Sequence, residues 1–438
     1  MNHRTLLRVV MPIAFLATFG ACLDEHEGPS QRGPNTYSSD VVVKWLNLQL
    51  NMLRVPLAPG TGTQSADRAQ AYCGIALYEA LVQGMHNHNS LYGQLTDFPA
   101  MPEIQSHKRY HWAAVANAAL ADMNRKLFPT TSAQNKASMD SLENALRSAY
   151  ALEVNDETLQ RSIAFGKEVS SIVYEWAATD GSANVNPPYV PSGLPGTWVS
   201  TPPNFPAPLN PYASQRRLLT PQVADGTAMD PPPPYSAEPG SPFYAMVEDV
   251  YNKSLVLTPE QTAMAIYHRD VPGYPGGGAF VAALSQVISK AKCKLDVATI
   301  AYVKCGIAQH DAGVICFINK YSFNLVRPIT YIRNEMGHPE WNALFNTPGH
   351  PEFPAAHAVV SSSVAGALTS VFGNNFKFTL HTYDYLGLPA RNFNSFAELT
   401  KEMADSRVFG GIHYQASCDK GRILGSKVAL NVMEQIEF

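Results

Sequence analysis

The chain has 438 residues, with 32 Lys and Arg against 36 Asp and Glu, a net charge of −4, and 45% hydrophobic and 16% charged residues. That length allows two or three packed units, and that balance belongs to a globular protein rather than a disordered one. No run of five or more Lys or Arg occurs, which argues against nucleic acid as a partner.

Residues 1–22 read as an export signal. "MNHRTLLR" is basic, and "VVMPIAFLATF" is an apolar stretch of 11 residues, short of the roughly 20 a membrane span needs. "GACLDE" follows. A cysteine after small residues and an apolar run resembles a bacterial lipoprotein signal, with Cys22 as the lipidated first residue. Phe19 departs from the Leu-like residue usual there, and an ordinary secretory signal is the other reading. Either way the expected location is outside the cytoplasm, at the cell envelope or surface. The membrane is then touched only through an N-terminal lipid anchor. Residues 23–39 are polar and read as a flexible tether. The other five cysteines, Cys73, Cys293, Cys305, Cys316 and Cys418, are odd in number, widely spaced and form no CxxC pair. They suit neither a disulfide framework nor a zinc site, and are expected to be free thiols with at most one bridge.

From residue 40 the periodicity is helical. "SSDVVVKWLNLQLNML" offers Ser39 or Asp40 as an N-cap, followed by apolar residues at three- and four-residue steps. "ADRAQAYCGIALYEALVQGM", "YHWAAVANAALADMNRKLF", "SMDSLENALRSAYALEV" and "DETLQRSIAFGKEVSSIVYEWAATDG" repeat the pattern, so residues 40–180 are expected to form an N-terminal helical bundle. Residues 181–243 hold 16 of the 33 prolines, including "DPPPP" at 230–234. Proline lacks a backbone donor and disfavours helix before it, so this is an extended connection. Trp198, Phe205, Tyr212, Leu218 and Leu219 should hold it against the helical body. Helices are expected to resume at "LTPEQTAMAIYH", where Thr258, Pro259 and Gln261 make a capping box. They continue through "DVATIAYVKCGIAQHDAGVICFINKYSF", "AAHAVVSSSVAGALTSVF" and "SFAELTKEMADSRVFGGIHY" to "SKVALNVMEQIEF". The expected fold is all-α: two four-helix-bundle-like halves, the second spanning 244–438, joined by a long proline-rich connection.

Three spots in the second half carry candidate chemistry. Lys320 and Arg327 would share a face on a continuous helix, but Pro328 should end the helix and leave Arg327 at a C-terminal end, free to bend back. His357, after Pro354, falls in or before the first turn of a helix, where unpaired amides and the helix dipole favour an anion. Ser406 and Arg407 precede His413 across Gly410-Gly411. Each spot alone is equally a solvated helix end or a core histidine. Together they offer three cations, two imidazoles and a helix N-terminus, a set suited to a compact tetrahedral oxyanion.

The order Lys320…Arg327-Pro328, then Pro354-Ala355-Ala356-His357, then Ser406-Arg407…His413 resembles the signature shared by vanadium-dependent haloperoxidases and type 2 phosphatidic acid phosphatases. "GTWVSTPPNFPAPLNPY", "LTPEQTAMAIYHRD" and "NLVRPITYIR" are similar to segments of bacterial haloperoxidase-type members. The resemblance covers roughly residues 40–438, and the lack of an apolar run near 20 residues favours that branch over integral-membrane lipid phosphatases. It implies an all-α fold of two four-helix bundles. It implies vanadate held by Lys320, Arg327, Arg407 and the amide of Ala356, with His413 as metal ligand and His357 as acid–base group. The substrates would be hydrogen peroxide and halide. Phosphate has the same shape and charge, so a phosphatase acting on a phosphate ester is the first alternative. His413 would then be the nucleophile, forming a phosphohistidine, with His357 as general acid. A non-catalytic phosphate-binding surface protein is the second. A homo-oligomer is compatible with all three.

This sequence departs from the family pattern in three places. Ala355-Ala356 replaces the usual Ser-Gly before the acid–base histidine, removing a hydroxyl worth about 1.5–3 kcal/mol to a charged oxygen. Ser417 stands where an aspartate usually orients the ligand histidine, so Ser417, the shifted Asp419 or a carbonyl must serve. Phe317 stands where some members carry tryptophan. Outside the signature, "HNH" at 86–88 and "HKRYH" at 107–111 read as solvated helix ends. His268, Asp270, His310 and Asp311 read as lining the same helical layers. Arg391, in "DYLGLPARNF", is expected to face solvent.

Overall fold

A computed structural model describes residues 32–54, 63–269 and 277–438 of the chain. Residues 1–31, with Cys22 and the expected signal, lie outside the described residues, as does Asp270. The helical periodicity of the first half becomes α1 (Asp40–Arg54), α2 (Thr63–Val82), α3 (Trp112–Leu127), α4 (Ala133–Tyr150) and α5 (Asp156–Ala177). In α1 the three- and four-residue spacing of Val41, Val42, Trp45 and Leu46 turns them all inward. The indole of Trp45 donates to Asn117 Oδ1 at 2.9 Å, tying α1 to α3. Ser132 accepts from the Asn135 amide at 3.1 Å and Asn155 from the Thr158 amide at 2.9 Å. Each cap satisfies a helix-end donor and contributes about 1 kcal/mol.

The second half holds α6 (Pro242–Leu255), α7 (Pro259–Tyr267), α8 (Gly277–Ala291), α9 (Leu295–Phe323), α10 (Pro328–Asn334), α11 (Ala356–Phe372), α12 (Phe396–Phe409) and α13 (Gln415–Gln435). The Thr258–Gln261 capping box is present, with both reciprocal bonds made. Helix resumes earlier than expected, at Pro242, and the short α10 begins at Pro328, where a helix was expected to stop. In both, proline occupies the first helical turn, where its fixed φ and missing N–H cost nothing. The last helix starts at Gln415, eleven residues ahead of its expected start. The only strands among the described residues are β1 (Phe378–Leu380) and β2 (Arg391–Phe393), an antiparallel ribbon pairing Phe378 with Phe393.

Helix α9 is the axle. It packs on α2 on one side and on α11 and α13 on the other, and buries residues on nearly every face. Gly306 makes the α2 approach possible, because a Cβ there would sit 2.9 Å from the Ala71 Cα. One apolar core runs from α1–α3 through α8 and α9 into α11 and α13, and residues 32–438 form one compact unit. A smaller cluster of Phe243, Val250, Tyr331, Phe353 and Tyr414 packs beside it.

The proline-rich connection is pinned to this body. The Trp198 amide donates to Asn324 O at 2.8 Å and the Val326 amide to Gly196 O at 2.9 Å. Asp311, on α9, accepts the Leu219 amide at 2.7 Å and the Thr220 amide at 3.0 Å. Trp198 and Leu219 are buried as expected, but Phe205 is 64% exposed and anchors nothing. Cys73, Cys293, Cys305, Cys316 and Cys418 are free thiols. Among the described residues no helix is long and apolar enough to cross a membrane.

Candidate anion-binding active site

Helix α9 ends at Phe323, and Asn324 takes a left-handed conformation (φ 46°) that turns the chain. Arg327 is therefore the N-cap residue of α10. It does not sit at a helix C-terminal end, and the seven-residue spacing from Lys320 is bridged by this turn rather than by a shared helix face. The turn brings both cations onto one loop, residues 350–354. Lys320 Nζ donates to the carbonyls of Pro351 at 2.9 Å, Glu352 at 3.0 Å and Pro354 at 2.5 Å. An ammonium has three N–H bonds, and all three go to the loop. Burial pushes Lys320 down to about 7, with Arg327 adding to the effect.

Arg327 is fully buried. Its Nε donates to His350 O at 2.9 Å, one terminal nitrogen to Ile412 O at 2.7 Å, and the other to His350 Nδ1 at 2.9 Å. The nitrogen that holds Ile412 also lies 3.2 Å from His413 Nε2. Burial lowers its pKa to about 10, and Arg407 pushes it the same way. It remains charged at neutral pH, so it can only donate.

That fixes the state of His413. Nε2 faces a permanent donor and must carry a lone pair. Nδ1 lies 2.8 Å from Glu352 Oε1 and must carry the proton. Glu352 is fully buried and also accepts the Tyr414 amide at 2.9 Å and the Ser417 hydroxyl at 2.6 Å. Burial pushes its carboxyl up, while the Ser417 hydroxyl, Arg327, Lys320 and the Tyr414 amide pull it back down. Burial and the nearby cations hold His413 well below the usual imidazole range, so the ring stays neutral. Ser417 and Asp419, two of the partners expected for this ring, do not hold it by a hydrogen bond. Ser417 supports Glu352 instead, and Asp419 is exposed and accepts from Gln415.

Helix α12 delivers Arg407 in its last turn. The guanidinium donates to His268 O at 2.7 Å and lies over the Phe345 ring, 5.1 Å from its centre. Gly411, at φ 75°, then reverses the chain so that His413 emerges just before α13. Helix α11 places Ala355 as N-cap residue, Ala356 in the first helical position and His357 in the second, and no side chain caps that terminus. Its first amides and the positive end of its dipole remain as an anion site.

Ala356, His357, Arg407 and His413 line one cavity of ≈ 80 Å³, with His350, Phe317 and Asp67. Arg327 and Lys320 are not among its lining residues; Arg327 reaches His413, which is. The two histidines of the signature thus share a chamber. His350, Glu352 and Asp67 were not among the residues singled out from sequence. His350 accepts from Arg327 at Nδ1, which leaves its Nε2 protonated, and the Phe317 ring meets it edge-on at 5.2 Å. Asp67 comes from α2 and accepts from Gln309 at 2.5 Å. The one local hint for Glu352 was a carboxylate between two prolines in an otherwise apolar stretch, "HPEFPAAH". Arg391 is drawn from solvent into bonds with Glu402 and Glu260, and Glu402 also holds His268 at 2.8 Å.

The donor set fits a tetrahedral oxyanion carrying an electrophilic centre: two buried guanidiniums, an uncapped helix N-terminus and a neutral imidazole whose Nε2 carries a lone pair. Residues 301–438 match the family model of the VCPO second helical-bundle domain. The fold is similar to that of a bacterial vanadium-dependent iodoperoxidase, with a TM-score of 0.84 and 28% identity, covering 91% of this chain and 97% of that one. An apo-type bacterial vanadium-dependent chloroperoxidase matches with a TM-score of 0.64 and 15% identity over 89% of this chain and 98% of that one. A holo-type bacterial vanadium-dependent chloroperoxidase matches at 0.59 and 15% over 93% and 94%. At that identity the two chloroperoxidases speak for the fold alone. No curated protein sequence matches the chain.

Proposed function

We propose that this chain, which belongs to the vanadium-dependent haloperoxidase superfamily, oxidises halide with hydrogen peroxide at a vanadate held in the His357–His413 cavity. The observation that carries the proposal is the state of His413: neutral, protonated at Nδ1 by its bond to Glu352, with an Nε2 lone pair that now accepts from Arg327 at 3.2 Å and that a bound vanadate would take instead. Arg327 and Arg407 supply permanent positive charge to the oxyanion, and the Ala356 amide supplies a neutral donor. Lys320 acts through the loop that carries Glu352, fixing three of its carbonyls. His357, half-buried at the cavity wall, is placed to take a proton from peroxide and return it to a departing oxygen. Vanadate, when bound, supplies a Lewis-acid centre that makes peroxide electrophilic toward halide.

Iodide is the halide we expect first. Ala355 offers no hydroxyl, so the site polarises a bound oxyanion less than one with a serine there. A weaker oxidant suffices for the most easily oxidised of the common halides. The similar protein of known structure at 28% identity is an iodoperoxidase. The test is to load purified protein with orthovanadate and follow triiodide formation with peroxide. We expect turnover with iodide, less with bromide, and none in His413→Ala. No turnover with any halide, together with phosphomonoester hydrolysis by the vanadate-free protein, would replace this reading with a phosphatase.

A further inference from the structure

A second and larger cleft, ≈ 560 Å³, opens beside the catalytic cavity and shares Arg407 and Pro348 with it. Its walls come from two distant segments, the proline-rich connection at 201–206 and the loop at 344–348, joined by Arg269. Three polar atoms on these walls are buried without a hydrogen-bond partner: Thr201 Oγ1, Thr347 Oγ1 and Arg269 Nε. Thr201 is 1% and Thr347 5% exposed. Buried polar atoms without partners are few in folded proteins, and each calls for an explanation. Neither the fold nor the oxyanion chemistry uses these three.

The chemistry of the walls specifies what would satisfy them. The charged groups among the described lining residues are two guanidiniums, Arg269 and Arg407, with no carboxylate. The remaining surface is largely proline rings and the Phe345 face, flat and apolar. The volume lies within the range of small-molecule sites. We propose that this cleft binds an aromatic carboxylate, its carboxylate on Arg269 and its ring between the prolines and Phe345, with the two threonine hydroxyls bonded to ring substituents. Resting on the haloperoxidase reading, the bound ring is the halogen acceptor. Hypohalous acid leaving the cavity meets it at Arg407. The ring's electron pair forms the carbon–halogen bond as the halogen–oxygen bond breaks, and the released hydroxide takes the ring proton to give water.

The probe is 4-hydroxybenzoate, titrated by calorimetry into vanadate-loaded protein beside its neutral methyl ester. Loading keeps the carboxylate out of the inner cavity. We expect the acid to bind at least about tenfold tighter than the ester. Arg269→Ala should remove that difference, Arg269→Lys restore part of it, and Thr347→Val weaken binding severalfold. Iodide oxidation without an organic acceptor, which reads the first proposal separately, should be unchanged in all three variants. Equal affinity for acid and ester, equal affinity of wild type and Arg269→Ala, or binding seen only before vanadate loading would each overturn the subsite. Selective binding by a protein that oxidises no halide would uphold the subsite and remove only the haloperoxidase reading beneath it.

Discussion

Two buried polar clusters in this chain use the same parts and serve different ends. At the proline-rich connection, Asp311 is pushed up to about 7 and His310 down to about 4, both by burial. Nearby, Arg68 pairs with Asp180, which also accepts the Tyr72 hydroxyl at 3.0 Å. At the catalytic cavity Glu352 is pushed up and His413 down, again chiefly by burial. Perturbed titration alone does not tell the two apart. The destinations of the bonds do. Asp311 ends on two backbone amides of the connection and His310 Nε2 on the Arg217 carbonyl at 3.0 Å, so that cluster closes on itself and staples the chain. In the other, the carboxylate and the lysine hold a loop, the loop holds an imidazole, and that imidazole, its Nε2 3.2 Å from Arg327, lines a chamber.

Breaking each cluster should therefore give different symptoms. With the His413 ligand left in place, the largest effect expected is from His357→Ala, which should lower the iodide-oxidation kcat by about 10²–10⁴-fold. Orthovanadate affinity, read by calorimetry, should change far less. Asp311→Ala should cost about 3 kcal/mol in urea unfolding by leaving the Leu219 and Thr220 amides without a partner, with kcat unaltered. A fall in kcat there would merge the two clusters into one functional unit.

The next test uses pH. Because His310 titrates lower in the folded chain than unfolded, its contribution is complete above about 6.5 and is lost as pH falls toward 4. That loss is worth about 3 kcal/mol. His310→Gln should flatten the unfolding free energy over that window by this amount, leaving the part contributed by the other buried histidines. An unchanged slope would show that the ring charges without loss of the fold. Glu352→Gln should weaken orthovanadate binding by about 10–100-fold, because an amide cannot accept from the Tyr414 amide, Ser417 and His413 together. Wild-type affinity would refute the role assigned to that carboxylate. The smallest change is a gain. Ala355→Ser should raise thermal stability of the vanadate-free protein by capping α11, and tighten orthovanadate about tenfold by giving it a hydroxyl. Bromide oxidation should rise with it.

Much of the architecture was legible without coordinates because helices write themselves locally. The inward faces of α1–α3 follow from residue spacing, and the Thr258–Gln261 pair marks a helix start by chemistry that reaches only three residues. Proline was the ambiguous letter. Its ring forbids a helix interior but suits a first turn, and at Pro242 and Pro328 only packing decides between stopping and starting. Gly410-Gly411 posed the same problem: an apolar run on both sides hid the reversal at Gly411, and with it the true start of α13.

Local pattern therefore determined the helical class, the charged and imidazole residues worth attention and their order along the chain, since each depends on side-chain type and short-range spacing. What the amino acids in order could not state is which backbone carbonyls Lys320 holds, or that Glu352, sixty-one residues before His413, orients its ring. Nor could they state that a connection rich in proline forms one wall of a second cleft. Those relations join segments far apart in sequence. They exist only after α9 has packed between α2 and α11 and brought the segments together, and burial then makes each hydrogen bond among them obligatory.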